Sequence, residues 1–228
     1  PTYICLASGL LTGILCGLLN GSLVAVVGIP SFIVTLITQK LFQGLSYLIS
    51  GGMMYSDIPD SILGISSLNN GMLTSSHIVV IISLLIFGGI FSSTVAGKNI
   101  LAMGYDERVL AQNGIGVKRY KCMIYVIGSI LFFFASLILL SRQGLAVSNM
   151  GVGMELDGLF AVCIAGGGGL LIKNSDIKRR VPLSNFFVAI LIVGVIENGL
   201  QLIGISQYYQ YIVLSVLVLY FILIAMLY

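Results

Sequence analysis

Few side chains in this chain could do chemistry, and their spacing excludes most of it. Carboxylates stand in two close pairs, Asp106 with Glu107 and Glu155 with Asp157. Two carboxylates can share general acid–base work, but no base, nucleophile or metal ligand accompanies either pair. Glu155 and Asp157 open an apolar run, where negative charge suits the positive end of a helix dipole. His77 is the single histidine, which rules out a histidine cluster for metal binding or proton relay. Cys5, Cys16, Cys122 and Cys163 lie in or beside apolar runs, without metal or disulfide spacing, and read as small apolar fillers. No Gly-x-x-x-x-Gly-Lys-Ser/Thr loop occurs, so any ATP must be bound by another chain. What remains is a set of polar groups stranded in apolar sequence: Asn20, Thr35, Gln39, Lys40, Gln43, Glu197 and Asn198. In hydrocarbon such groups need partners or water, and they mark pathways.

The elements that position these groups follow from composition. Of 228 residues 58% are hydrophobic and 8% charged, with a mean hydropathy of +1.09. A soluble domain is about a quarter charged, so the solvent of this chain is lipid, and a soluble catalytic or nucleic-acid-binding domain is excluded. Apolar runs long enough for a bilayer stand at about 3–27, 31–50, 77–97, 122–141, 156–172, 183–203 and 208–228. The fold class is therefore all-α, a polytopic transmembrane helical bundle of about seven spans. It is read as one domain over residues 1–228, N-terminally incomplete because Pro1 is not an initiator residue.

Basic residues orient the bundle. Lys98, Arg108, Lys118, Arg119 and Lys121 fall in 98–121, and Lys173, Lys178, Arg179 and Arg180 in 173–181. Two spans separate these connections, so both face the cytoplasm and 51–76 and 142–155 lie outside. The first connection, KNILAMGYDERVLAQNGIGVKRYK, contains a short helix that Asp106 caps and Gly114 ends in the left-handed conformation. It is a docking surface for a cytoplasmic partner.

Gly9, Gly13, Gly17 and Gly21 recur every four residues and lay a smooth groove along one helix face, for close packing against a neighbour. Asn20 beside them either bonds a neighbouring helix or lines a polar pathway. Pro30 suits a helix first turn, where its missing N–H costs nothing. Lys40 either snorkels to the cytoplasmic edge or faces a polar cavity. Glu197 either borders the pathway or makes a structural hydrogen bond. Residues 51–76 read as a glycine, serine and asparagine loop, and Gly166 to Gly169 as the break of a half-membrane helix. Gly17-Leu18-Leu19-Asn20-Gly21 echoes Gly194-Val195-Ile196-Glu197-Asn198-Gly199, each followed by a Gly-Ile pair, as an inverted repeat would be.

Four blocks carry a family resemblance: NGSLVAVVGIPSFIVTL at 20–36, AMGYDERVLAQNGIGV at 102–117, GVGMELDGLFAVCIAGG at 151–167 and ENGLQLIGISQYYQYIV at 197–213. Together they resemble the membrane permease subunits of ribose-type, binding-protein-dependent ABC sugar importers. The resemblance implies a permease of about ten spans with an inverted repeat, of which this chain holds a part. It also implies a second permease copy or a related one, a cytoplasmic ABC ATPase subunit carrying ATP and Mg, and an external sugar-binding protein. No cofactor is expected in this chain, and the location is the bacterial inner (cytoplasmic) membrane. On this reading Gly104, Asp106, Glu107, Arg108, Asn113 and Gly114 couple the chain to the ATPase. Asn20, Pro30, Phe32, Thr35, Gln39, Lys40, Gln43, Glu197 and Asn198 belong to the translocation pathway. Val109 and Leu110 stand where the family has two alanines, and Gln43 where it has an arginine. A proton-coupled secondary transporter and a degenerate, non-transporting scaffold are the competing expectations.

Overall fold

The computed structural model describes residues 2–67, 69–70, 73–104, 106–166 and 183–227. It contains two compact units, Pro1–Gly151 and Val152–Tyr228.

The first unit opens with α1, Thr2–Ser22, which runs into a single π turn, Leu23–Val27, and stops at Gly28. α2, Ser31–Ser50, starts behind Pro30, whose carbonyl accepts the Val34 N–H at 3.2 Å. Proline thus sits at the cap itself, one position before the first turn, where its locked φ and missing N–H are both harmless. α3, Asp60–Ser67, and a two-residue strand pair, Asn69–Asn70 with Leu73–Thr74, follow. α4, Ser75–Ser93, and α5, Val95–Met103, come next, then α6, Glu107–Gln112, and α7, Val117–Gln143.

α1 and α7 pack antiparallel along the glycine ladder. A Cβ on Gly9 would meet the Phe133 ring, one on Gly17 would meet Tyr125 and Ser129, and one on Gly21 would meet Cys122. The four-residue spacing brings all these glycines to the α7 side, so the two backbones touch where side chains would hold them apart.

The segment 51–76 is more ordered than its composition predicts. α3 seats Ile62 in a buried position, and the Ser141 hydroxyl at the end of α7 donates to the Leu63 carbonyl at 3.1 Å. Tyr55 and Ala146 exchange two backbone hydrogen bonds, at 3.0 and 2.8 Å. Ser50 and Ser148 hydroxyls meet at 2.6 Å. The run at 77–97 is likewise not one straight helix: Val80–Phe91 and Val95–Met103 meet at 84°. Thr94 makes the corner, because its side chain caps α5 by accepting the Gly97 N–H at 3.0 Å.

Of the seven runs expected to cross a bilayer, four helices among the described residues have the length and hydropathy to do so: Thr2–Val27, Ser31–Ser50, Val117–Gln143 and Asn185–Leu202. The bent pair makes a fifth if it is one span. The chain is an all-α, polytopic membrane protein.

The second unit contains α8, Met154–Gly166, α9, Leu183–Leu202, and α10, Gln207–Leu227. Its core is Phe160, Ala161, Cys163 and Ala165 against Ala189, Val193 and Leu214. Small residues dominate it, so the helices approach closely. Cys163 is packed there as the expected filler. Gly167 to Gly169 and the basic segment 173–181 lie outside the described residues.

Candidate functional site

The exposed hook around α6 is built from three local rules. Asp106 is in extended conformation and its Oδ1 accepts the Arg108 N–H at 2.8 Å, which caps α6 as its sequence position predicts. At the other end Asn113 Nδ2 donates to the Val109 carbonyl at 2.8 Å, and Gly114 takes φ +75°. Ile115 N–H then reaches back to the Leu110 carbonyl at 3.1 Å, closing a glycine-terminated helix end. Gly204-Ile205 ends α9 the same way, with Ile205 bonded to Leu200 at 3.0 Å.

Leu110 is buried and anchors the hook, while Asp106, Glu107, Arg108 and Val109 are exposed around it. Leu110 therefore serves the protein's own packing, and Val109 belongs to the free face. Gly104 closes α5 with a helical φ of −64°. Two contacts that sequence does not reveal hold the hook in place. Lys121 Nζ lies 2.7 Å from Glu107 Oε2, and Asn99 Nδ2 donates to the Tyr120 hydroxyl at 3.0 Å.

A cavity of about 880 Å³ opens between α1, α2, α3 and α7. Asn20 and Thr35, two of the expected pathway residues, line it together with Ser8, Thr12, Ser129 and Ser136. The hydroxyl protons on its wall are already committed. Ser8 donates to the Cys5 carbonyl at 2.9 Å, Thr12 to Ser8 at 2.8 Å, Thr35 to Ser31 at 3.1 Å and Ser136 to Phe133 at 2.8 Å. Ser129 donates to Tyr125. Their oxygens keep acceptor capacity, and the Asn20 amide has both a carbonyl acceptor and an NH2 donor. Asn20 Oδ1 is buried with no hydrogen-bond partner among the described residues. The wall is mostly apolar, and these few polar groups interrupt it.

The remaining expected pathway residues of α2 are Phe32, Gln39, Lys40 and Gln43. Lys40 is the tenth residue of this 20-residue helix, about 14 Å from its start at 1.5 Å per residue. Its ammonium donates to Gln43 Oε1 at 3.2 Å, toward the C-terminal half of α2. Among the described residues of its unit no carboxylate lies within ion-pair distance. Phe32 is 68% exposed on the first turn of α2.

In the second unit the carboxyl groups of Glu197 on α9 and Asp157 on α8 are neighbours. Asp157 Oδ1 is buried with no hydrogen-bond partner among the described residues. Glu155 does cap the segment, its Oε2 accepting the Gly153 N–H at 3.0 Å. Asn198 follows Glu197 on α9.

A family model described as the permease component of branched-chain amino acid transport systems matches residues 1–226. The chain belongs to this permease family. Among its relatives the L-arabinose ABC transporter permease protein of Azospirillum brasilense is 32% identical over 91% of this chain and 59% of its own length. The ribose import permease protein of Haemophilus influenzae is 30% identical over 96% of this chain and 67% of its own. The autoinducer 2 import system permease protein of Yersinia enterocolitica is 29% identical over 90% of this chain and 61% of its own. The chain thus spans about three-fifths of the length of the first curated relatives it matches. No solved structure matches it.

Proposed function

We propose that this permease-family chain forms part of the translocation pathway of an ATP-binding cassette importer for a sugar or a closely related polyol. The observation that supports the substrate class is the cavity of α1, α2, α3 and α7, a largely apolar wall interrupted by hydroxyls and the Asn20 amide. A sugar presents apolar C–H faces and uncharged hydroxyls, which such a wall accommodates. The sugar-importer names of the relatives support the same class.

The exposed α6 hook is the contact for a cytoplasmic ATPase that holds ATP and Mg. A second permease copy or a related one completes the pathway, an external binding protein delivers the sugar, and the assembly sits in the bacterial inner membrane. ATP-driven closure of the ATPase pair moves the hooks and switches the spans between inward- and outward-open states. The full protein, co-expressed with its ATPase and binding protein in proteoliposomes, tests this. Replacing Asp106, Glu107 and Arg108 together by alanine should leave ATP hydrolysis but abolish ATP-driven sugar uptake. Coupled uptake at the unsubstituted level would refute the docking role.

A further inference from the structure

We propose that Lys121 is a positioning residue that passes movement of α6 to the cavity, through Cys122 and Gly21. This deepens, and rests on, the reading of α6 as the ATPase contact. The first turns of α7 place three consecutive side chains against three different elements. Tyr120 accepts the amide of Asn99 on α5 at 3.0 Å. Lys121 grips Glu107 on α6 at 2.7 Å. Cys122 lies against Gly21 of α1, where an added Cβ would sit 2.9 Å from Sγ and 3.0 Å from Cα.

That last contact has no slack. A shift of the α7 start must carry α1 with it, because no compressible side chain lies between the two backbones. Gly21 stands between two features that respond to such a shift. Before it is Asn20, whose unpartnered oxygen belongs to the cavity wall. After it comes the π turn Leu23–Val27, a widened stretch of helix of the kind found where helices adjust at functional sites. Lys121 and Glu107 are 27% and 51% exposed, and an ion pair that open contributes little to stability. Its role is to set the direction in which α6 pulls, so its loss should spare the fold and cut the coupling.

Cys16 lines the same cavity and serves as a reporter. In the full transporter, with ATPase and binding protein in lipid nanodiscs, maleimide modification of Cys16 is followed by peptide mass spectrometry, with and without ATP plus vanadate. The unsubstituted protein should show a difference between the two states of about fivefold or more. Lys121→Glu and Lys121→Met should both remove the difference while the ATPase still co-purifies, and Lys121→Arg, which keeps the charge facing Glu107, should retain it. A difference that survives Lys121→Met and Lys121→Glu, or that Lys121→Arg abolishes, overturns this inference alone. Absence of any nucleotide dependence in the unsubstituted protein overturns the importer reading with it.

Discussion

A Cβ placed on Gly17 would stand 2.8 Å from the backbone oxygen of Tyr125, so at this point α1 and α7 touch backbone to backbone. The same Cβ would collide with Ser129 Oγ. The hydroxyl can rotate away, but the carbonyl belongs to a helix and cannot. Overpacking of a close contact costs about 1–3 kcal/mol, and Gly17→Leu should lower stability by that amount in a detergent thermal melt. Gly44→Ala, where nothing lies within 4 Å, should be silent. Equal effects at the two positions would show that the ladder is not a packing contact.

Asn20 separates structure from transport by the sign of its effect. Its Oδ1 is buried and unpartnered, so Asn20→Leu removes a desolvated polar atom without breaking a hydrogen bond. Stability should hold or rise by about 1 kcal/mol, while one lost hydrogen bond to substrate should cut uptake about tenfold. A destabilised variant with normal uptake would make Asn20 a packing residue.

Lys40 predicts water in the middle of α2. Its ammonium is held by Gln43 at half the depth of the helix, and a charge there is tolerated where it meets water or a polar partner. Lys40→Cys in the full transporter should react with a charged, water-soluble thiosulfonate in at least one nucleotide state, and Leu41→Cys, 51% exposed at the same depth but turned about 100° around α2, should not. Inertness of the Lys40 position in every state would remove it from the pathway.

The Asp157–Glu197 pair weighs the importer against a proton-coupled transporter. Glu197→Gln can donate a hydrogen bond to Asp157 but cannot release a proton. ATP-driven uptake should persist in Glu197→Gln and fall in Glu197→Leu, which strands Asp157. Loss of uptake in Glu197→Gln together with sensitivity to a protonophore would favour the proton-coupled mechanism.

Features set by neighbours in sequence are legible from the residues alone. The Asp106 cap, the Gly114 turn and the glycine ladder each follow from backbone rules that act over two to five residues. Contacts between distant segments are not. Lys121–Glu107 and Asn99–Tyr120 close across a turn whose path the sequence does not print, and Ser50–Ser148 joins residues 98 apart. Hydropathy likewise registers 77–97 as one run, because it sums residue types and is blind to the 84° corner that Thr94 makes. The cavity is hidden for a related reason. Ser8, Thr12, Ser129 and Ser136 are ordinary residues of apolar helices until α1 and α7 bring them to one wall.

The side of the membrane on which α6 stands decides the whole account. Arg108→Cys in the full protein, treated with a membrane-impermeant maleimide, reads it directly once the signal from the native cysteines is subtracted. The position should stay unlabelled in intact cells, label in inverted vesicles, and be protected there when the ATPase subunit is added. Labelling from outside intact cells would contradict the claim that this hook is where an ATP-driven partner takes hold.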